Sequence, residues 1–229
     1  MPNSLKEKNR NLLWIIIAVN TLLFCAVVRA NAVRLDDVRS IFTEPQDLMP
    51  VGLAVLISTV LNGLLTADTK ARLVFLRWRH ALPGHRAFTE YALSDPRVDP
   101  NILKQNLGGA LPVDPVEQNR TWYRLYKSVE KEPAVAQVHR DFLLLRDYAG
   151  LSVLFIIVNI FVGLYVISSW KVLGSYLLVL LAQYAVVRQA ASHYGVRMVT
   201  SVLAQVAAKS SAPSLRARRK RTTKTAGRN

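Results

Sequence analysis

The sequence predicts an all-α, polytopic membrane protein with four transmembrane helices and a small helical cytoplasmic insert. Four apolar blocks, Leu12–Val28, Leu48–Ala67, Tyr148–Ile167 and Val172–Val187, contain no Asp, Glu, Lys or Arg. Each approaches the ~20 residues that a helix needs to cross ~30 Å of hydrocarbon. The chain of 229 residues is 51% hydrophobic yet carries a net charge of +15. A soluble domain spreads its apolar residues with the period of a helix or strand, whereas here they are segregated from the charge. The basic residues are also divided unevenly among the connecting segments, which sets an orientation.

The first block follows Lys6, Lys8 and Arg10. It reads as a span; the alternative is a cleaved signal peptide, with Ala30 and Ala32 imitating a small-residue cleavage site. The sole cysteine, Cys25, lies inside this block, so neither an intrachain disulfide nor a paired-cysteine metal site is available. The loop from Arg29 to Asp47 sets Arg29, Arg34 and Arg39 against Asp36, Asp37, Glu44 and Asp47. By contrast, the segment from Asp68 to Asp147 holds thirteen Lys/Arg, and the chain from Arg188 onward holds ten with no acid. The positive-inside rule places both of these in the cytoplasm. Both termini are then cytoplasmic, the acidic loop faces out, and Ser168–Lys171 is a tight external turn.

Pro50 opens the second span, where its missing N–H costs little. Good helix formers carry that helix on through Thr69 to His80, until the turn signal Pro83-Gly84. Ser94-Asp95-Pro96 and Asp99-Pro100 each read as a cap followed by a first helical residue, the second helix ending at Gly108-Gly109. After the loop Leu111–Pro115, Glu117–Lys131 has the pattern of an amphipathic helix. Pro133 opens a helix that runs through Val138, Phe142 and Leu145 into the third span. Beyond the fourth span, Arg188–Ala208 remains helical in composition, and Lys209–Asn229 is basic, Ser/Thr-rich and expected to be disordered. The domain plan is a transmembrane hairpin (1–67), a helical insert (68–147), a second hairpin with a cytoplasmic extension (148–208) and a tail (209–229).

Each span carries an amide: Asn20, Asn62, Asn159 and Gln183. These serve as hydrogen-bonding contacts between helices or line a water-filled path, and both readings stand. No acid or histidine lies at mid-membrane, which argues against coupled transport. His80, His85 and His139 lack HExxH, HxxxH or paired-cysteine spacing, and Gly108-Gly109 is not followed by a GK[ST] phosphate loop. No enzyme signature, metal site or cofactor is expected.

The insert is the most informative polar segment. Arg72, Arg77, Arg79 and Arg86 interleave with Phe75, Trp78, His80 and Phe88; Arg120 and Arg124 accompany Trp122, Tyr123 and Tyr126. On a continuous helix, Arg72 and Arg79 share a face. Arginine rather than lysine favours bidentate phosphate contacts and stacking. For Arg72 the reading is a headgroup anchor; for Arg77, Arg79 and Arg86, further along an upright helix, an anionic ligand competes with membrane lipid. Arg216–Arg221 is polybasic, with lipid as its first partner and nucleic acid as its second.

Two terminal pairs of spans, a short insert and the motif Arg77-Trp-Arg-His-Ala-Leu-Pro-Gly-His-Arg-Ala-Phe88 resemble the small four-span membrane effectors of bacterial anti-phage defence. The chain is most similar in character to the Hailong-type effectors, and the membrane component of Kiwa systems has a similar layout. The resemblance implies an inner-membrane homo-oligomeric pore, gated by a nucleotide or DNA-oligomer signal from a companion nucleotidyltransferase. It also implies an electropositive site, for which Arg77, Arg79, Arg86, Arg120 and Arg124 are the candidates. The rival from another class is a non-conducting scaffold that recruits a soluble partner through Glu117–Lys131 and binds anionic lipid or nucleic acid.

Overall fold

The computed structural model describes residues 5–32, 57 and 60–226, with side chains at 9–29, 57 and 60–210. Among these residues every regular element is helical. They are α1 (Leu5–Ala32), α2 (Ala67–Phe75), a 3-10 turn (Pro83–Arg86) running into a π-turn (Ala87–Tyr91), α3 (Ala92–Ser94), α4 (Pro100–Asn106), α5 (Pro115–Val129), α6 (Pro133–Val166) and α7 (Trp170–Ala226). Helical backbone also occurs at 60–64. Three helical stretches, Asn9–Arg29, Pro133–Val166 and Trp170–Ser210, are long and apolar enough to cross a membrane, as in a membrane protein. Of the expected second span, Leu48–Ala67, residues 48–56, 58 and 59 lie outside the described residues, as does the acidic loop from 33 to 47.

The chain forms two compact units, Met1–Arg77 with Arg140–Ser192 and Trp78–His139 with His193–Asn229. In the first, α1 meets α6 through Ile17, Leu151 and Phe155, bordered by Leu13, Ile16 and Leu154. Asn9 donates through Nδ2 to the Arg140 carbonyl at 2.8 Å. As Pro133 predicts, α6 is one uninterrupted helix into the apolar block. The turn after it occupies 167–169, starting one residue and ending two residues before the expected Ser168–Lys171, and the Leu173 N–H donates to the Ser169 carbonyl at 3.0 Å as α7 begins. A β-carbon on Gly163 would come 2.6 Å from Leu173 Cδ1, so glycine lets the two helices close on each other here. Tyr165 and Trp170, 92% and 76% exposed, flank this turn as aromatic residues do at a membrane surface.

The helix expected to run from the second span to His80 is broken at both ends. The chain leaves helical geometry after residue 64, and Thr66 takes an extended conformation (φ −64°, ψ 157°) in which its Oγ1 accepts from the Thr69 N–H at 3.1 Å. It is thus the N-cap of a new helix. At the other end Leu76 adopts φ 51°, ψ 41° and donates to the Arg72 carbonyl at 2.8 Å. That conformation costs a residue with a β-carbon about 1–2 kcal/mol. Tertiary contacts compensate: Val74 packs with Ala149, Val187 and Ala191, while the Leu73 carbonyl accepts from Tyr184 Oη at 2.8 Å and the Val74 carbonyl from Arg188 Nη1 at 3.3 Å. Carbonyls of the last turn are thereby satisfied without further helix. Arg72 and Arg79 consequently do not share a helical face.

The second unit contains the short helices. Asp99 caps α4, with Pro100 first in the helix, and Gly108 and Gly109 beyond its end take φ +83° and +109°. Asp114 caps α5, accepting from the Val116 and Glu117 N–H groups at 3.1 and 3.2 Å. Ser94-Asp95-Pro96 departs from expectation: it ends α3 and opens no helix. Asp95 Oδ1 accepts from the Arg97 N–H at 2.9 Å, as a cap would, but the carboxylate also holds the Arg97 guanidinium and the chain turns at 96–97 without continuing as helix. Gln118, 1% exposed, accepts through Oε1 from the Phe88 N–H (3.1 Å), the Thr89 N–H (3.2 Å) and Thr89 Oγ1 (3.2 Å), and donates to the Val113 carbonyl at 2.8 Å. The turn at Pro83–Arg86 is buried at Gly84, where a β-carbon would strike Asn119 and Trp122. Helical backbone continues from Ala208 to Ala226, into the segment expected to be disordered; its Ala, Leu, Lys and Arg residues favour helix, although Pro213 does not.

Candidate functional site

The arginines of the insert fall into two groups. Arg86 is engaged within the fold: Nη2 donates to Tyr91 Oη at 2.8 Å, Nε lies 3.2 Å from Glu90 Oε2, and the guanidinium sits 5.5 Å from the Tyr91 ring centroid. Arg97 is held by Asp95, with Nη2 2.7 Å from Oδ2, and Nη2 also donates to Thr200 Oγ1 at 3.1 Å. The Arg97 guanidinium keeps the Asp95 carboxyl well below the usual carboxylate range. Arg77, Arg79, Arg120 and Arg124 are exposed, and among the described residues no carboxylate pairs with them.

Arg120 and Arg124 stand one turn apart on α5, whose opposite side buries Gln118, Trp122, Tyr126 and Val129. Arg124 Nη2 donates to Thr121 Oγ1 at 3.0 Å. Together with Glu117 and Thr121 it borders a cavity of about 390 Å³ beneath the loop 107–113. This volume lies within the ~300–1,000 Å³ range of small-molecule sites. The carboxylate and the guanidinium are two turns apart, giving the cavity an acidic and a basic side. Arg79 belongs to the same unit as Arg120 and Arg124, and Arg77 is the last residue of the first segment of the other.

Aromatic residues beside these arginines are engaged with one another. Trp122 stacks on Tyr126 with centroids 5.8 Å apart, and Tyr126 Oη lies 2.9 Å from His139 Nδ1. Burial raises the Tyr126 pKa. The rings of His80 and His85 meet edge to face at 5.0 Å despite the Pro-Gly turn between them.

Among the described residues, one of the four amides of the apolar helices has a side-chain bond to another helix. Gln183 Nε2 donates to Tyr148 Oη at 2.8 Å. Asn20 and Asn159 donate to carbonyls of their own helices, those of Ile16 at 2.9 Å and Phe155 at 2.8 Å. Asn20 Oδ1 and Asn62 Oδ1 are buried without a hydrogen-bond partner among the described residues.

One polar constellation was missed by sequence reasoning. Lys70 Nζ lies 3.1 Å and Arg146 Nη2 3.0 Å from the same Asp147 Oδ1, with all three residues buried. In sequence these look like solvated charges at the edges of apolar blocks; the available signal is Asp147 directly preceding Tyr148. No family model, curated protein or solved structure matches the chain.

Proposed function

We propose that this chain is the membrane effector of an anti-phage defence system, an oligomeric pore opened by an anionic nucleotide or oligonucleotide signal. The supporting observation is the division among the insert arginines: Arg86 and Arg97 are paired within the fold, whereas Arg79, Arg120 and Arg124 are exposed and, among the described residues, have no carboxylate partner. Cations left free in this way retain their capacity for phosphate. Arg124 contacts phosphate at the basic side of its cavity, and Glu117 disfavours phosphate at the other. In a cyclic homo-oligomer, copies of these arginines surround one axis and their fields add. A signal that binds the open arrangement more tightly than the closed one shifts the pore between them.

The test is conductance of the full chain in planar bilayers, with nucleotide mixtures and short single-stranded oligonucleotides as probes. Arg120→Glu with Arg124→Glu should remove probe binding and channel opening while leaving assembly intact. Binding to the wild type should weaken steeply with salt, because phosphate contacts release counterions. Conductance unaffected by every probe, or unchanged by the double substitution, would overturn the gating reading.

The scaffold alternative draws on a separate observation: Val113, Val116 and Tyr123 are 75%, 49% and 52% exposed, an apolar fringe from the loop before α5 to the middle of that helix. A scaffold passes no ions. Absence of conductance together with capture of a soluble partner that is lost on Tyr123→Glu would favour it.

A further inference from the structure

We propose that the segment Leu76-Arg77-Trp78 is a binding surface for anionic phospholipid, with Leu76 and Trp78 in the interfacial layer and Arg77 on a lipid phosphate. This inference rests on the membrane assignment of the apolar helices and not on a pore or its signal.

The depth of the segment follows from what holds the end of α2. Arg188, whose Nη1 reaches the Val74 carbonyl at 3.3 Å, is the first charge after the apolar block Val172–Val187. On α6 the Phe75 ring lies 6.4 Å from that of Phe142, immediately after the charges Arg140 and Asp141. From Phe142 to the end of α6 the only charges are Arg146 and Asp147, which are buried and paired with each other. Both helices therefore pass from apolar to charged sequence at the level where α2 ends. For membrane-spanning helices, that transition marks the headgroup layer. The helix ends at Phe75, and Arg77, two residues on, stays within about 7 Å of this level.

The chemistry of the segment matches that depth. Leu76 occupies a left-handed position usually given to glycine or asparagine and is 64% exposed, while Trp78 is 83% exposed. A strained backbone that turns a large apolar side chain outward is unfavourable facing water and favourable at an acyl-chain boundary. Tryptophan is suited to the same boundary, since its ring is apolar and its N–H polar. Between them Arg77 is exposed and, among the described residues, has no ion-pair partner, in contrast to Arg72, which pairs with Asp68. A guanidinium flanked by two exposed apolar groups is complementary to a phosphate lying above acyl chains.

The experiment uses the full chain in nanodiscs of phosphatidylcholine with or without phosphatidylglycerol, with Trp14, Trp122 and Trp170 replaced by Phe. Trp78 emission should be quenched strongly by lipids carrying a shallow nitroxide and severalfold less by aqueous iodide than a tryptophan peptide is. In native mass spectrometry, Arg77→Gln should reduce retained phosphatidylglycerol severalfold without altering thermal unfolding, and Arg77→Lys should recover part of it. If the triple-Phe protein does not fold, Cys25→Ser with Trp78→Cys provides the second measurement. That cysteine should react severalfold more slowly with an aqueous maleimide in nanodiscs than a cysteine placed at Val113. Iodide quenching equal to that of the peptide, or unhindered maleimide reaction, would overturn the proposal. So would shielding by a single-stranded oligonucleotide without nitroxide quenching, which would assign Arg77 to a soluble phosphate source.

Discussion

Lys70 Nζ and Asp147 Oδ1 lie 3.1 Å apart across 77 positions of sequence, and Arg146 donates to the same oxygen. The cluster joins α2 to α6 through a carboxylate that serves two buried cations, so its members are not equivalent. Asp147→Asn leaves both cations without a counter-charge and should cost about 3–5 kcal/mol, the range for breaking a buried pair. Lys70→Met leaves the Arg146–Asp147 pair in place and should cost less, about 1.5–3 kcal/mol, the value of a hydrogen bond to a charged group. Thermal unfolding in one detergent ranks the two variants; the opposite order would show that Lys70, rather than Asp147, is the centre of the cluster.

Gln118 should be the most sensitive polar residue of the second unit. Replacement by Leu keeps the volume but removes acceptance from the Phe88 and Thr89 N–H groups and donation to Val113. Each buried group left unsatisfied costs about 1–3 kcal/mol, so a loss of several kcal/mol is expected. Limited proteolysis between residues 86 and 113 measures it, and protection equal to the wild type would contradict this role.

The Asp95–Arg97 pair predicts an acid dependence. Since the folded pKa of Asp95 is depressed, its stabilising contribution is complete above the ordinary value of about 3.9 and is lost as pH falls through the folded value. The melting-temperature difference between wild type and Arg97→Gln should therefore be constant above about pH 5 and shrink under more acid conditions. A difference that grows on acidification would reverse the assignment.

The charge distribution predicts topology independently of the packing. A reporter that fluoresces only in the cytoplasm should be bright when fused at either terminus or after Gly109, and dark after Thr43. Brightness at Thr43 would place the acidic loop inside and invert the orientation.

Much of the local structure was legible because its causes are local. Asp99-Pro100 and Gly108-Gly109 bound α4 through capping chemistry within a few residues, whereas Asp114-Pro115, read as loop, opens α5 two residues before its expected start at Glu117. Pro133 opened a helix whose composition carries it unbroken into the third apolar block. Ser94-Asp95-Pro96 has the same cap signature, but the Asp95 carboxylate is taken up by Arg97, where its side chain and α7's Thr200 meet. The candidate site was legible only as a set of residue types: sequence grouped Arg77, Arg79, Arg86, Arg120 and Arg124, whereas contacts with Glu90 and Tyr91 set Arg86 apart.

The sequence by itself determined that the chain is helical, that its apolar residues form membrane-length blocks, and where α4 and α6 begin, because hydropathy and capping act over a few residues. Tertiary structure decided where α2 stops and which charges are withdrawn from water. Thr69 to His80 favours continued helix, but Tyr184 and Arg188 on a distant helix take the carbonyls of Leu73 and Val74, and the chain turns at Leu76. Lys70, Arg146 and Asp147 each read as a surface charge until folding brings them to one oxygen atom. Such pairings depend on groups far apart in the chain, so neither periodicity nor propensity encodes them.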